Sequence, residues 1–191
     1  GVTVLHVRIV ADRGGGPEKT ILATGELFRG SRYRPVAAYL HPPASPGFAE
    51  LEAAARGAGC EMVGLADRGP VDPRPLRSLL RLCRDLDVAI WHAHDYKSAA
   101  FGILLRRLYA MRMVTTMHGW TDLSPRTRLY FAVDRLCLSA FDHVFAVSPD
   151  LAASARRCGV APARVSLLYN GVDDGRFRRH GPPADAALRR E

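Results

Sequence analysis

The stretch Thr3 to Phe28, TVLHVRIVADRGGGPEKTILATGELF, decides the fold. Its first residues, Thr3 to Ile9, form a mainly apolar run of strand length. Pro17 to Phe28 spaces its apolar residues three and four apart, the period of a helix. The loop between them, Asp12 to Lys19, holds three successive glycines, Gly14, Gly15 and Gly16. Glycine permits close backbone approach, Pro17 suits the first turn of a helix, and the free N–H groups of that turn attract phosphate. A strand that turns through glycine into a helix is the first unit of a parallel α/β sheet.

The same unit recurs along the chain. Further strand-length apolar runs lie at Pro35 to Leu40, Glu61 to Leu65, Val88 to His92, Met113 to His118, His143 to Val147 and Val165 to Tyr169. Helical spacing lies between most of them, at Pro46 to Arg56, Pro75 to Leu86, Lys97 to Tyr109, Pro125 to Ala140, where Leu129, Val133 and Leu136 form the expected core face, and Asp150 to Arg157. Near-continuous Val, Ile, Leu and Ala runs are what strands buried on both faces require. With right-handed crossovers, the alternation predicts an α/β fold: a Rossmann-like, doubly wound, mostly parallel seven-stranded sheet with helices on both faces. The last strand belongs to Arg164 to Asp173, RVSLLYNGVD, and ends in an Asn-Gly turn. Residues 1–178 read as one domain and 179–191, with Pro182-Pro183, as the start of an interdomain connector.

Bulk properties narrow the function. At 191 residues and 48% apolar composition the chain suits one buried core, and no apolar run reaches the roughly 18 residues of a membrane span. Val2 to Ala11 contains His6 and Arg8 and lacks a basic lead-in, so it reads as a strand rather than a signal peptide, in a chain trimmed ahead of Gly1. Cys60, Cys83, Cys137 and Cys158 show no metal or redox spacing, which fits reduced thiols and a cytoplasmic setting. Net charge is +8, and of the 27 basic residues only Lys19 and Lys97 are lysines. That bias points to a GC-rich, bacterial type of coding and weakens any specific reading of the charge. Arg77, Arg81 and Arg84 share one face of a helix whose other face is Leu76, Leu79, Leu80, Cys83 and Leu86, as a solvated face would. The other reading of that face is peripheral contact with the inner surface of the membrane. A nucleic-acid partner is disfavoured, since no basic run is interleaved with aromatics.

In an open parallel sheet ligands bind beyond the carboxyl ends of the strands. The glycine loop there is not the dinucleotide fingerprint, because GxGxxG is absent and the second strand ends in Tyr39-Leu40-His41 without an acidic residue for a ribose. A dehydrogenase is therefore disfavoured. The loop His92-Ala93-His94-Asp95-Tyr96-Lys97-Ser98 follows the fourth strand. Asp95 suits a helix cap, and His94 and Tyr96 are placed to reach a polar substrate. Alternation puts His92 and His94 on one face, but no third ligand is evident and no metal is expected. His118 ends the fifth strand, before Gly119.

Together these residues resemble the amino-terminal domain of family-4 retaining glycosyltransferases of the GT-B fold. The resemblance rests on Gly15-Gly16-Pro17-Glu18, the His-Ala-His-Asp loop, Thr116-Met117-His118-Gly119, Val147-Ser148-Pro149 and Tyr169-Asn170-Gly171-Val172-Asp173. It implies two facing domains, of which this one shapes the acceptor side. It implies that Gly15 and Gly16 offer backbone N–H groups to the donor diphosphate, and that His118 is the catalytic contact to the transferred sugar. Glu18, Lys19, His94, Tyr96, Lys97, Tyr169 and Asn170 become candidate acceptor or sugar contacts. The expected partners are a nucleotide-sugar donor, a sugar or lipid-linked acceptor and a carboxyl-terminal domain, with no cofactor beyond the substrate itself. That family's paired donor-binding glutamates are missing here, so the chain alone is expected to fold but not to turn over. A stand-alone module binding a phosphorylated or anionic ligand is the alternative.

Overall fold

The computed structural model describes residues 1–10, 15–119 and 125–171, the side chains of 125–129 excepted. The strands are β1 (Val2–Ile9), β2 (Tyr33–His41), β3 (Glu61–Ala66), β4 (Val88–Ala93), β5 (Arg112–Met117), β6 (His143–Ala146) and β7 (Val165–Leu167). They alternate with α1 (Gly16–Leu27), α2 (Pro46–Gly57), α3 (Arg74–Asp85), α4 (Tyr96–Leu105), α5 (Pro125–Leu138) and α6 (Pro149–Arg157). All pairings are parallel, in the order β3-β2-β1-β4-β5-β6-β7. The chain builds outward from β1 in one direction, then returns to build β4 on its other side. That reversal, between β1 and β4, is the switch point at which such sheets open a crevice.

Helices lie on both faces because the strands alternate their apolar side chains to both. Within β2, Ala37 and Tyr39 join Ile21 and Leu22 of α1 and Phe48 and Leu51 of α2. Val36, Ala38 and Leu40 join the larger core of Leu5, Val7, Trp91, Met113, Leu79 and Leu105 on the opposite side. Tight helix ends feed the strands: Gly59 (φ 64°) follows α2 and Gly159 (φ 87°) follows α6, a left-handed backbone that costs glycine nothing. On α3, Leu79 and Cys83 are buried while Arg77, Arg81 and Arg84 are exposed.

Three local expectations need correction. The seventh strand stops at Leu167 rather than Tyr169, because its partner among the described residues, β6, runs out at Ala146 before Ser148 caps α6; Leu168 N–H bonds the Ala146 carbonyl. Helix α4 ends at Leu105, and 106–109 continue as turns with bonds from Leu108 and Tyr109 back to Leu105. Leu136, expected in the core with Leu129 and Val133, is 80% exposed; α5 instead buries Cys137 and Leu138. The side chain of Leu129 and the tail expected as a connector lie outside the described residues.

One sheet face differs from the other across β4 to β6. Trp91, Ala93, Met113, Met117, Val144 and Ala146 are buried, whereas His92, Val114, Thr116, His143 and Phe145 are only half-buried. That second face is polar and satisfies itself across strands, His92 with Thr116 at 2.8 Å and His143 with Ser166 at 2.8 Å.

Candidate active site

The polar face reaches the carboxyl edge of the sheet at the switch point. His6 and Arg8, two residues apart on β1, share that face, and His6 is in register with His92 on β4. Arg8 ties the edge together. Its Nε donates to Glu18 at the start of α1, and its Nη1 donates to the carbonyl of His94 at 3.0 Å. Glu18 is 3% exposed, and its other oxygen accepts the Gly15 N–H. Burial pushes the Glu18 carboxyl up, but the Arg8 guanidinium and the Gly15 N–H outweigh it and hold the group below its ordinary value. Asp95 caps α4 by accepting from the N–H groups of Lys97 and Ser98, and its second oxygen accepts from Ile9 on β1. Thus β1, β4, α1 and α4 are locked at one point by two carboxylates and one arginine.

A line of imidazoles crosses the same point. His6 Nδ1 is 3.1 Å from His94 Nε2, and His94 Nδ1 is 3.1 Å from His118 Nε2. The rings of His92 and His94 stack at 4.2 Å, and those of His6 and His92 lie 4.8 Å apart. Burial lowers the pKa of His6 to about 4, and burial followed by the Arg8 charge lowers that of His118 to about 4. His92 and His94 are lowered further by burial and by their neighbouring histidines. All four rings are neutral near pH 7.

His6 supplies the third imidazole that was not evident beside His92 and His94; the three offer ligand atoms within 4.8 Å of one another. Ligand nitrogens on a tetrahedral zinc lie about 3.3 Å apart and point inward. Here the rings are stacked, and the nitrogens already face one another and Thr116, so the cluster is built as a hydrogen-bonded stack.

Arg8, His94, His118 and Tyr96 line a cavity of about 180 Å³ together with Phe131 and Asp134 of α5. A second cavity, about 410 Å³, lies on the same edge, walled by Ile9, Val10, Leu40, Pro42 and Pro70, with Tyr96 common to both. Tyr96 is fixed by stacking on Tyr130, with ring centres 4.3 Å apart and planes 6° from parallel.

The expected site residues therefore divide. His118, His94 and Tyr96 come together. Gly15 and Gly16 are exposed at the start of α1, and a Cβ on Gly16 would meet nothing within 4 Å among the described residues. The Gly15 N–H, expected to face a diphosphate, is instead taken by Glu18. Glu18 itself, expected to touch a sugar or acceptor, is buried against Arg8 and acts on the shape of the loop. Lys97, expected as an acceptor or phosphate contact, is 2% exposed and spends its ammonium on Asp67, at 2.7 and 2.8 Å, and on the Gly69 carbonyl. It clamps the loop after β3 that walls the larger cavity. Lys19 is exposed on the first turn of α1. Tyr169 and Asn170 are exposed beyond β7, the edge strand two places from β5, and do not line either cavity. Arg8 and His6 were missed; their alternation within an otherwise apolar strand, matching that of His92 and His94, is the signal that marks them.

A family model described as Glycosyltransferase Family 4 matches residues 7–176. The chain belongs to glycosyltransferase family 4. No curated protein matches it in sequence. Among solved structures, Anabaena Alr3699/HepE in complex with UDP-glucose is similar with a TM-score of 0.73 and 15% identity, over 100% of this chain and 49% of that one. Sucrose-phosphate synthase (tll1590) from Thermosynechococcus elongatus is similar at 0.69 and 16% identity, over 99% and 52%. The apo form of the lipopolysaccharide outer core galactosyltransferase WaaB is similar at 0.69 and 14% identity, over 90% and 46%. At such identities the likeness is one of fold, the Rossmann-like fold of GT-B glycosyltransferases. This family-4 chain spans about half the length of those proteins. Among its described residues no helix is long and apolar enough to cross a membrane.

Proposed function

We propose that this chain is the amino-terminal, acceptor-side half of a retaining glycosyltransferase that uses a nucleotide-sugar donor. The observation that carries the reading is that Arg8 and His118 line one cavity at the switch point, while Arg8 is also tied to Glu18 at the start of α1. The UDP-glucose bound to the similar HepE structure supports the donor class.

In this reading the donor diphosphate lies over the turn at Gly16. As the bond from the anomeric carbon to the diphosphate oxygen breaks, the electron pair leaves on the diphosphate. The growing negative charge is met by the positive end of α1 and by the Arg8 guanidinium, fixed in advance and needing no rearrangement. The acceptor hydroxyl oxygen bonds the anomeric carbon on the same face, and its proton goes to the departing oxygen. His118, neutral near pH 7, hydrogen-bonds the transferred sugar. The larger cavity receives the acceptor, with Tyr96 between the two cavities and Lys97–Asp67 holding its wall. A carboxyl-terminal domain holds the rest of the donor, so this chain alone lacks turnover. The nucleotide-sugar is a substrate, and neither metal nor organic cofactor enters the scheme.

His118→Ala in the full-length enzyme tests the assignment. The expected result is a fall in kcat of roughly 100-fold or more with the unfolding midpoint unchanged, and a product anomer identical to that of the donor in the unmutated enzyme. Unchanged kcat would remove His118 from the site, and an inverted product would remove the retaining mechanism.

A further inference from the structure

We propose that His6, His94 and His118, the last of which lines the smaller cavity, form a single-tautomer chain, in which His6 and His94 are positioning residues that fix whether His118 Nδ1 carries the hydrogen or the lone pair. The proposal rests on the placement of His118 in the transfer site for its functional meaning, but not for its test.

A neutral imidazole has one N–H donor and one lone-pair acceptor. His94 uses both nitrogens on other imidazoles: Nε2 faces His6 Nδ1, and Nδ1 faces His118 Nε2, each at 3.1 Å. Each contact holds one hydrogen. If His94 donates through Nδ1 it must accept through Nε2, and the reverse holds equally. The three rings therefore carry their hydrogens all on Nδ1 or all on Nε2. In the first arrangement His118 carries an Nδ1–H donor; in the second it carries a lone pair at the same atom. His118 cannot change form without His94 and His6 changing with it.

The inner end of this chain is built to stay fixed. His6 is 8% exposed, sits in register beside His92 with its ring tilted against it, and stacks on His94. The Arg8 bond to the His94 carbonyl holds the end of β4 against β1. Burial keeps the rings neutral. His92, although stacked in the same cluster, directs Nε2 to Thr116 instead and stands outside the chain, which makes it the natural control.

The test is a long-range ¹H–¹⁵N correlation spectrum of the ¹⁵N-labelled 191-residue chain at neutral pH, with no substrate present. The expected result is that His6, His94 and His118 share one neutral tautomer. Any disagreement among the three, or averaging between tautomers at one of them, overturns the proposal. His6→Leu is expected to abolish the single-tautomer pattern of His118, His6→Gln to restore one, and His92→Leu to leave it in place. An unchanged His118 in His6→Leu, or an equal loss in His92→Leu, contradicts it. If His6→Leu does not fold, the unmutated chain and His6→Gln still decide. Because the readout needs no turnover, its failure is separate from failure of the transferase reading.

Discussion

Arg8 shows how one side chain can organise a site without being conspicuous in the sequence. It reaches from the middle of the sheet to the carboxylate at the start of α1 and to the backbone at the end of β4. The histidines around it have a consequence for stability. In the unfolded chain a histidine titrates near pH 6.5, whereas folded His6 and His118 titrate at about 4. Because the folded values are the lower ones, the unfolded chain takes up protons first. Stability is full above about pH 6.5 and is lost as pH falls towards 4. For His6 alone the loss is on the order of 3 kcal/mol. Glu18, held low by Arg8 against its burial, contributes a loss only further down, in the carboxylate range. The urea midpoint should therefore fall steeply between about pH 6.5 and 5. A midpoint constant over that window would mean that the imidazoles protonate freely in the folded chain.

At the scale of elements, much was legible. Apolar period and glycine or proline punctuation marked the seven strands and six α-helices of the described residues, because a strand buried on both faces and an amphipathic helix leave different spacings in the chain. What was not legible depends on partners distant in sequence. The length of β7 is set by where β6 ends, and the burial of Lys97 is set by Asp67, thirty residues earlier. A lysine two places after a histidine loop looks like a ligand contact until the loop after β3 folds onto it. That clamp is a buried ion pair, so breaking it from one side should cost more than replacing both partners. Lys97→Met is expected to destabilise the chain by about 3 kcal/mol, and adding Asp67→Leu to recover most of that loss. Equal effects of the single and double substitutions, read from unfolding midpoints, would show that the pair does not act as a unit. The tight approach of α4 to β4 is another long-range fact: a Cβ on Gly102 would lie 2.5 Å from Trp91 Nε1.

At the scale of the molecule, the polar face and the two cavities lie at the carboxyl edge of a sheet that matches about half of each similar protein. Family membership was legible because several short motifs fall in order on consecutive strand ends. The division of labour among the motif residues was not, since Glu18 and Gly15 satisfy each other and Tyr169 and Asn170 stand apart from the cavities. The central claim is that this domain is one side of a sugar-transfer site whose other side is a second domain. Its most direct test is turnover of UDP-, GDP- and ADP-sugars with a panel of sugar and lipid-linked acceptors, measured in parallel for the full-length gene product and for residues 1–191. Transfer by the full-length protein and none by residues 1–191 is the predicted result; robust transfer by residues 1–191, or anion binding without transfer by the full-length protein, would contradict it.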